Sequence, residues 1–112
     1  MQWHPITSTE QIEQIREESK GQPVVIFKHS TSCSISATAK SRLERQWDTA
    51  GLDQVKSYYL DLLSYRPVSN QIAQSFEVKH ESPQLLFIKD GQCQYHGSHL
   101  GISLQEVKKL VS

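Results

Sequence analysis

Hydrophobic and polar positions along the chain switch between a helical and a strand period. Thr7-Ser8-Thr9-Glu10-Gln11 opens the first helical stretch, where Ser8 and Gln11 at i+3 can form a capping box. Ile12 and Ile15 supply its apolar stripe, and Gly21 is placed to stop it. Pro23 then leads into Val24-Val25-Ile26-Phe27, a run apolar on both faces that suits a central parallel strand. After Ser30-Thr31-Ser32, a second helix begins near Cys33. Ile35, Ala39, Leu43 and Trp47 recur every four residues as its buried face, with Lys40, Arg42, Glu44 and Arg45 on the other side and Ala50-Gly51 at its close. Val55–Asp61 is rich in β-formers and reads as a strand. Pro67 opens a third helix containing Ile72, Ala73 and Phe76. Pro83 precedes the strand Gln84–Lys89, which the Asp90-Gly91 turn joins to Gln92–His96. Ser103 can cap a last helix with Leu104, Val107, Leu110 and Val111 on its apolar side.

The order is therefore α, then β-α-β-α-β-β-α. The βαβ units give parallel strands by right-handed crossover, and the Asp90-Gly91 hairpin adds antiparallel ones. The expected class is α/β: a mixed four-stranded core sheet in the order 2-1-3-4, flanked by helices, with an extra helix at the N-terminus. No repeat, charge block or linker interrupts the pattern, so residues 1–112 read as one domain. A chain of this length buries roughly 65% of its unfolded surface and needs no disulfide staples.

Charge and composition narrow the partners. Lys plus Arg and Asp plus Glu each number 12, a net charge of zero. Such a chain lacks the positive field that phosphate backbones demand, so nucleic acid is not an expected partner. The longest apolar runs, Val24–Phe27 and Leu85–Ile88, fall far short of the ~20 residues of a membrane span. Met1-Gln2-Trp3-His4-Pro5 has no basic and apolar leader pattern, so the expected location is cytoplasmic. Trp3 and Trp47 read as core or groove-lining aromatics, with no basic patch around them to suggest stacking on bases.

The two cysteines, Cys33 and Cys93, are too few for a disulfide scaffold or a cysteine-only zinc site. Cys33 follows a parallel strand and starts a helix. The first N–H groups of a helix have no partners within it, and the macrodipole is positive there, so a thiolate gains both hydrogen bonds and charge. Cys33 is therefore a candidate nucleophile for disulfide exchange. Against this stands the ordinary reading of cysteine as a small buried hydrophobe, but Thr31, Ser32, Ser34 and Ser36 surround it with polar residues. Lys28 and His29 upstream are candidates for tuning the thiolate, and the Ser36 hydroxyl at i+3 is placed to donate to the sulfur. The spacing is C-x-x-S. Ser36 stands where a dithiol enzyme has its resolving cysteine, so a lone Cys33 would hold the incoming thiol until a second molecule releases it.

Cys93 lies just past the Asp90-Gly91 turn. Strand alternation puts Cys93 and Tyr95 on one face, which reads as packing. The alternative is a resolving thiol, which the expected fold places far from Cys33. His29, His80, His96 and His99 invite a metal reading, but no cysteine or carboxylate cluster accompanies them, and no metal is expected.

The segment Ile26-Phe27-Lys28-His29-Ser30-Thr31-Ser32-Cys33-Ser34-Ile35-Ser36 resembles the monothiol bacilliredoxins of the YtxJ type (bacilliredoxin C) of the thioredoxin superfamily. That family typically reads T-C-P-I-S at its cysteine, and here Ser34 replaces the proline. Ser82-Pro83-Gln84-Leu85-Leu86-Phe87-Ile88-Lys89-Asp90-Gly91 resembles the general thioredoxin pattern, in which a cis-proline lies beside the active cysteine. The resemblance implies a thioredoxin-like fold, a cis Ser82–Pro83 bond, and catalysis by Cys33 with Ser36. It implies substrate contacts at Ser32, Ser34, Ser82 and Pro83, with the Ser82 backbone presented to an extended substrate. The implied reaction is removal of bacillithiol from protein mixed disulfides, through a Cys33–bacillithiol intermediate. Bacillithiol is then the thiol co-substrate. Bacillithiolated proteins are the partners, and free bacillithiol or a reductase regenerates Cys33. Lys28, Lys40, Arg42 and Lys79 are candidates to meet the carboxylates of the adduct. Two other readings stand beside this one: a redox-inert binding module using the groove beside Pro83, and an iron–sulfur carrier. Some monothiol glutaredoxins are such carriers, but their C-G-F-S differs here at both middle positions.

Overall fold

A computed structural model describes residues 2–47 and 49–111. Its elements are β1 (Trp3–Pro5), α1 (Glu10–Glu18), β2 (Val24–His29), α2 (Ser34–Trp47), β3 (Lys56–Asp61), α3 (Arg66–Ser75), β4 (Gln84–Lys89), β5 (Gln92–Ser98) and α4 (Leu104–Val111), with a 3-10 turn at His99–Gly101. They build one five-stranded sheet in the order β1-β3-β2-β4-β5. The four expected strands lie in their expected 2-1-3-4 order, and the fold is thioredoxin-like. β1 is an addition, paired in parallel with β3 from Trp3↔Ser57 to Pro5↔Tyr59. Three residues show no periodicity in sequence, and Pro5 is tolerated because this strand is an edge.

β2 is buried along its whole length because helices cover both faces of the sheet. Val24 and Ile26 join Leu60, Leu86 and Ile88 under Ile12 and Ile15 of α1 and Ile72 of α3. Val25 and Phe27 join Leu85 and Phe87 under Leu43 and Trp47 of α2 and Leu104 and Val107 of α4.

Local details depart from the sequence expectation. α1 has only the Gln11 half of a capping box: Gln11 Oε1 accepts the backbone N–H groups of Thr7 (2.7 Å) and Ser8 (3.1 Å), and no side chain caps the helix from the other direction. Ile35 is 47% exposed rather than buried with Leu43 and Trp47. The first turn of α2 faces the protein with the fully buried Ser36 instead. Cys93 and Tyr95 lie on opposite faces, Cys93 packed with the Ile88 cluster and Tyr95 with the Phe87 cluster. A β-bulge is the reason: Phe87 pairs with Tyr95 and Ile88 with Cys93, so Gln94 is the extra residue and alternation is broken there.

Candidate active site

β2 ends at His29, and the chain turns through Ser30–Ser32 into α2. The Cys33 N–H donates to the Ser30 carbonyl (3.1 Å), closing the turn. The Cys33 carbonyl accepts the Ala37 N–H (3.1 Å), the first bond of the helix. Cys33 thus occupies the N-cap of α2, beside N–H groups that have no partner within the helix. Its side chain is half-buried, while Ser32 and Ser34 on either side are exposed.

Ser36 does not turn to the sulfur as expected. Its fully buried hydroxyl accepts the Ser30 N–H (3.0 Å) and lies 2.7 Å from His29 Nδ1. Three residues into the helix from the N-cap, the side chain points at the end of β2, and its hydrogen bonds are spent there. His29 is buried between the Phe27 ring (centroids 5.9 Å apart) and the Tyr59 ring (5.6 Å). Burial pushes the His29 pKa down, the Lys40 ammonium pushes the same way, and Asp61 opposes both. Lys40 spans the edge of this cluster, paired with Glu44 at 3.1 Å, and Glu44 also accepts the Trp3 Nε1–H at 3.1 Å.

Lys28 is sent to the opposite sheet face by the two-residue period of β2. It is 0% exposed, and its Nζ donates to the Ser69 carbonyl (3.2 Å) and to His80 Nδ1 (3.3 Å). Burial lowers the Lys28 pKa to about 8. Its ammonium is therefore bound to α3 and to His80 rather than to the turn bearing Cys33. Enclosed there, it is also out of reach of a ligand carboxylate. Lys40 is engaged with Glu44, which leaves exposed Arg42 and Lys79 of the four cations named from sequence.

The Ser82–Pro83 bond is cis. β4 runs antiparallel to β2 with Gln84 opposite Lys28, so Ser82 and Pro83 lie beside the carboxyl end of β2, where the turn to Cys33 begins. The Pro83 carbonyl accepts the His99 N–H (3.0 Å), and the Ser82 hydroxyl oxygen is enclosed without a hydrogen-bond partner among the described residues.

Two functional candidates, Leu63 and Ile35, were missed from sequence, Ile35 because it was assigned to the buried face of α2. Leu63 is 48% exposed, and with Ile35 it completes the exposed large hydrophobic residues among those described. The Leu62 N–H donates to the His29 carbonyl (2.9 Å), which pins the 62–63 segment against the end of β2. Ile35 in the first turn of α2 and Leu63 just after β3 are therefore both exposed near the carboxyl end of β2, the end of the sheet where Cys33 lies. The signal was present in Leu62-Leu63, an apolar pair directly after a strand where a polar turn is usual.

Cys93 sits at the other end of the sheet. It pairs with Ile88, which pairs with Val24 at the start of β2, roughly 17 Å of strand away from His29. Its thiol donates to the Tyr95 carbonyl (3.2 Å), and burial pushes its pKa up. Among the described residues no group of three or more histidines, cysteines or carboxylates is gathered to hold a metal ion, and no helix is long and apolar enough to cross a membrane.

Residues 4–107 match the family described as Monothiol bacilliredoxin BrxC. Among solved structures, a proposed oxidoreductase with a thioredoxin fold is 30% identical, with a TM-score of 0.82 over 98% of this chain and 94% of that one. Thioredoxin from Malassezia sympodialis is 26% identical, with a TM-score of 0.68 over 96% of this chain and 85% of that one. Thioredoxin from Fasciola hepatica, at 18% identity, shares the fold with a TM-score of 0.69 over 96% and 95%.

Proposed function

The chain belongs to the monothiol bacilliredoxin family, and from that premise we propose that it removes bacillithiol from protein mixed disulfides. Family and fold make it a monothiol, thioredoxin-like oxidoreductase. The observation that carries the finer reading is the pairing of a half-exposed Cys33 at the N-cap of α2 with a serine, Ser36, where a second thiol would close an internal disulfide.

The Cys33 thiolate attacks the bacillithiol sulfur of a protein–S–S–bacillithiol bond. That bond breaks, the client leaves as a thiolate that takes a proton from water, and a Cys33–bacillithiol disulfide forms. The helix N-terminus stabilises charge on Cys33 before attack and after release. Ser36 has no sulfur, so a second thiolate must come from outside. Free bacillithiol, or a reductase, attacks the bacillithiol sulfur of the adduct and releases the Cys33 thiolate. With free bacillithiol the second product is bacillithiol disulfide, and electrons balance across the two exchanges. Ser32 and Ser34 lie at the mouth of the turn. In this reading the Ser82 backbone, beside the end of β2 and next to the cis Pro83, pairs with an extended client segment. Ile35 and Leu63 supply apolar surface for a protein-sized substrate. A compartment that keeps low-molecular-weight thiols reduced, the cytoplasm, suits this chemistry.

The test is a client protein loaded with bacillithiol and mixed with reduced protein plus free bacillithiol. Recovery of the client thiol with the wild type and none above background with Cys33→Ala supports the reading. No recovery with either leaves the binding module in its place.

A further inference from the structure

The Ser36 hydroxyl has one proton and two lone pairs, and both neighbours make fixed demands. The Ser30 N–H, 3.0 Å away, uses one lone pair. His29 Nδ1, 2.7 Å away, then allows two arrangements. With the imidazole neutral and its proton on Nε2, Nδ1 accepts the Ser36 proton. With a proton on Nδ1, the ring donates instead, Ser36 accepts twice, and its own proton is driven out towards the 30–36 turn. Both side chains are closed off from solvent, at 7% and 0% exposure. Groups facing His29 come from each neighbouring element: Phe27 from β2, Tyr59 and Asp61 from β3, and Lys40 and Ser36 from α2. Burial and Lys40 favour the neutral ring, and Asp61 favours the cation. His29 ends β2 and Ser36 lies in the first turn of α2. Their contact therefore closes a loop of chain with Cys33 inside it, while Ser30 is tied to the same oxygen.

We propose that His29 is a positioning residue for Cys33 that acts through Ser36: its neutral ring holds the Ser36 proton and fixes the turn, and its protonation reverses that hydrogen bond and slows Cys33. This rests on Cys33 being the reacting thiol. Lys28, on the other face of the sheet, takes no part in it.

The test reads Cys33 alone, by its rate of alkylation with iodoacetamide across the acid and neutral range, with Cys93→Ala as background and the His29 ring titration followed by NMR. The wild type shows an acid-side inflection at the titration of His29. His29→Asn, whose amide can accept the Ser36 proton where Nδ1 did but does not titrate, keeps the neutral rate and loses that inflection. His29→Ala and Ser36→Ala each slow alkylation at neutral pH by on the order of tenfold, the scale of a small misplacement of a reacting group. The double variant is no slower than either single one, because the two side chains act as one unit. The fall in rate from titration of the thiol itself is common to all variants; a separate inflection that coincides with the His29 titration and is retained in Ser36→Ala, or losses that multiply in the double variant, overturns the proposal. Alkylation needs no bacillithiol, so this result is independent of whether the protein acts on bacillithiol disulfides.

Discussion

Lys28 Nζ lies 3.3 Å from His80 Nδ1 in the enclosed space between β2, α3 and the segment leading to Pro83. The ammonium is sheltered from water, and its pKa falls from 10.5 to about 8. The unfolded chain therefore binds more protons than the folded one between those values, and the Lys28 contribution to stability rises with pH through that window. Lys28→Met removes this rise. At neutral pH the substitution is neutral or stabilising by about 1–3 kcal/mol, as expected when a buried charge is replaced by an apolar chain of similar shape. Urea denaturation of both proteins at several pH values between neutral and alkaline measures the difference. A Lys28→Met protein with the same alkaline gain as the wild type contradicts it.

Ser36→Cys converts the site to a dithiol. Three residues past Cys33 on the first turn of α2, the new thiol attacks the Cys33 sulfur of the adduct, expels bacillithiol as a thiolate, and leaves an internal disulfide. Intact mass then shows a product lighter by two hydrogens than the reduced variant, with no bacillithiol attached, where the wild type retains its adduct. The variant loses the bond from the Ser30 N–H and about 1 kcal/mol of stability.

Ile35 and Leu63 are each about half exposed, so changing them costs the folded state little. Docking of a client that covers the remaining surface is worth about 1 kcal/mol for each residue. The double variant Ile35→Ser, Leu63→Ser removes about 2 kcal/mol and is expected to lower kcat/KM for a bacillithiolated protein by about thirtyfold, mostly through KM. Exchange with a small bacillithiol disulfide stays at the wild-type rate. Equal losses on both substrates contradict the docking role.

Much of this architecture was legible because each period ran long enough to be read. β2 is a continuous apolar run, α2 shows a four-residue recurrence after Cys33, and Asp90-Gly91 marks the hairpin. The unreadable parts share one property: they depend on pairing between distant residues. β1 is defined by its ladder to β3. The bulge at Gln94 is defined by register, and polar Gln92 and Gln94 on either side of Cys93 preserve the look of alternation across it. Contact between His29 and Ser36, seven residues apart across a turn, follows from how α2 sits on the sheet. The side of the sheet taken by Lys28 was available, since the β2 period places it with Val24 and Ile26 rather than with Phe27 and His29.

Whether Cys33 alone receives bacillithiol is read most directly by intact mass spectrometry after mixing reduced protein with a bacillithiol mixed disulfide. Wild type and Cys93→Ala are predicted to gain one bacillithiol at the same rate, and Cys33→Ala to gain none. No adduct on the wild type, or one that forms on Cys93 as fast as on Cys33, contradicts the proposed role of Cys33.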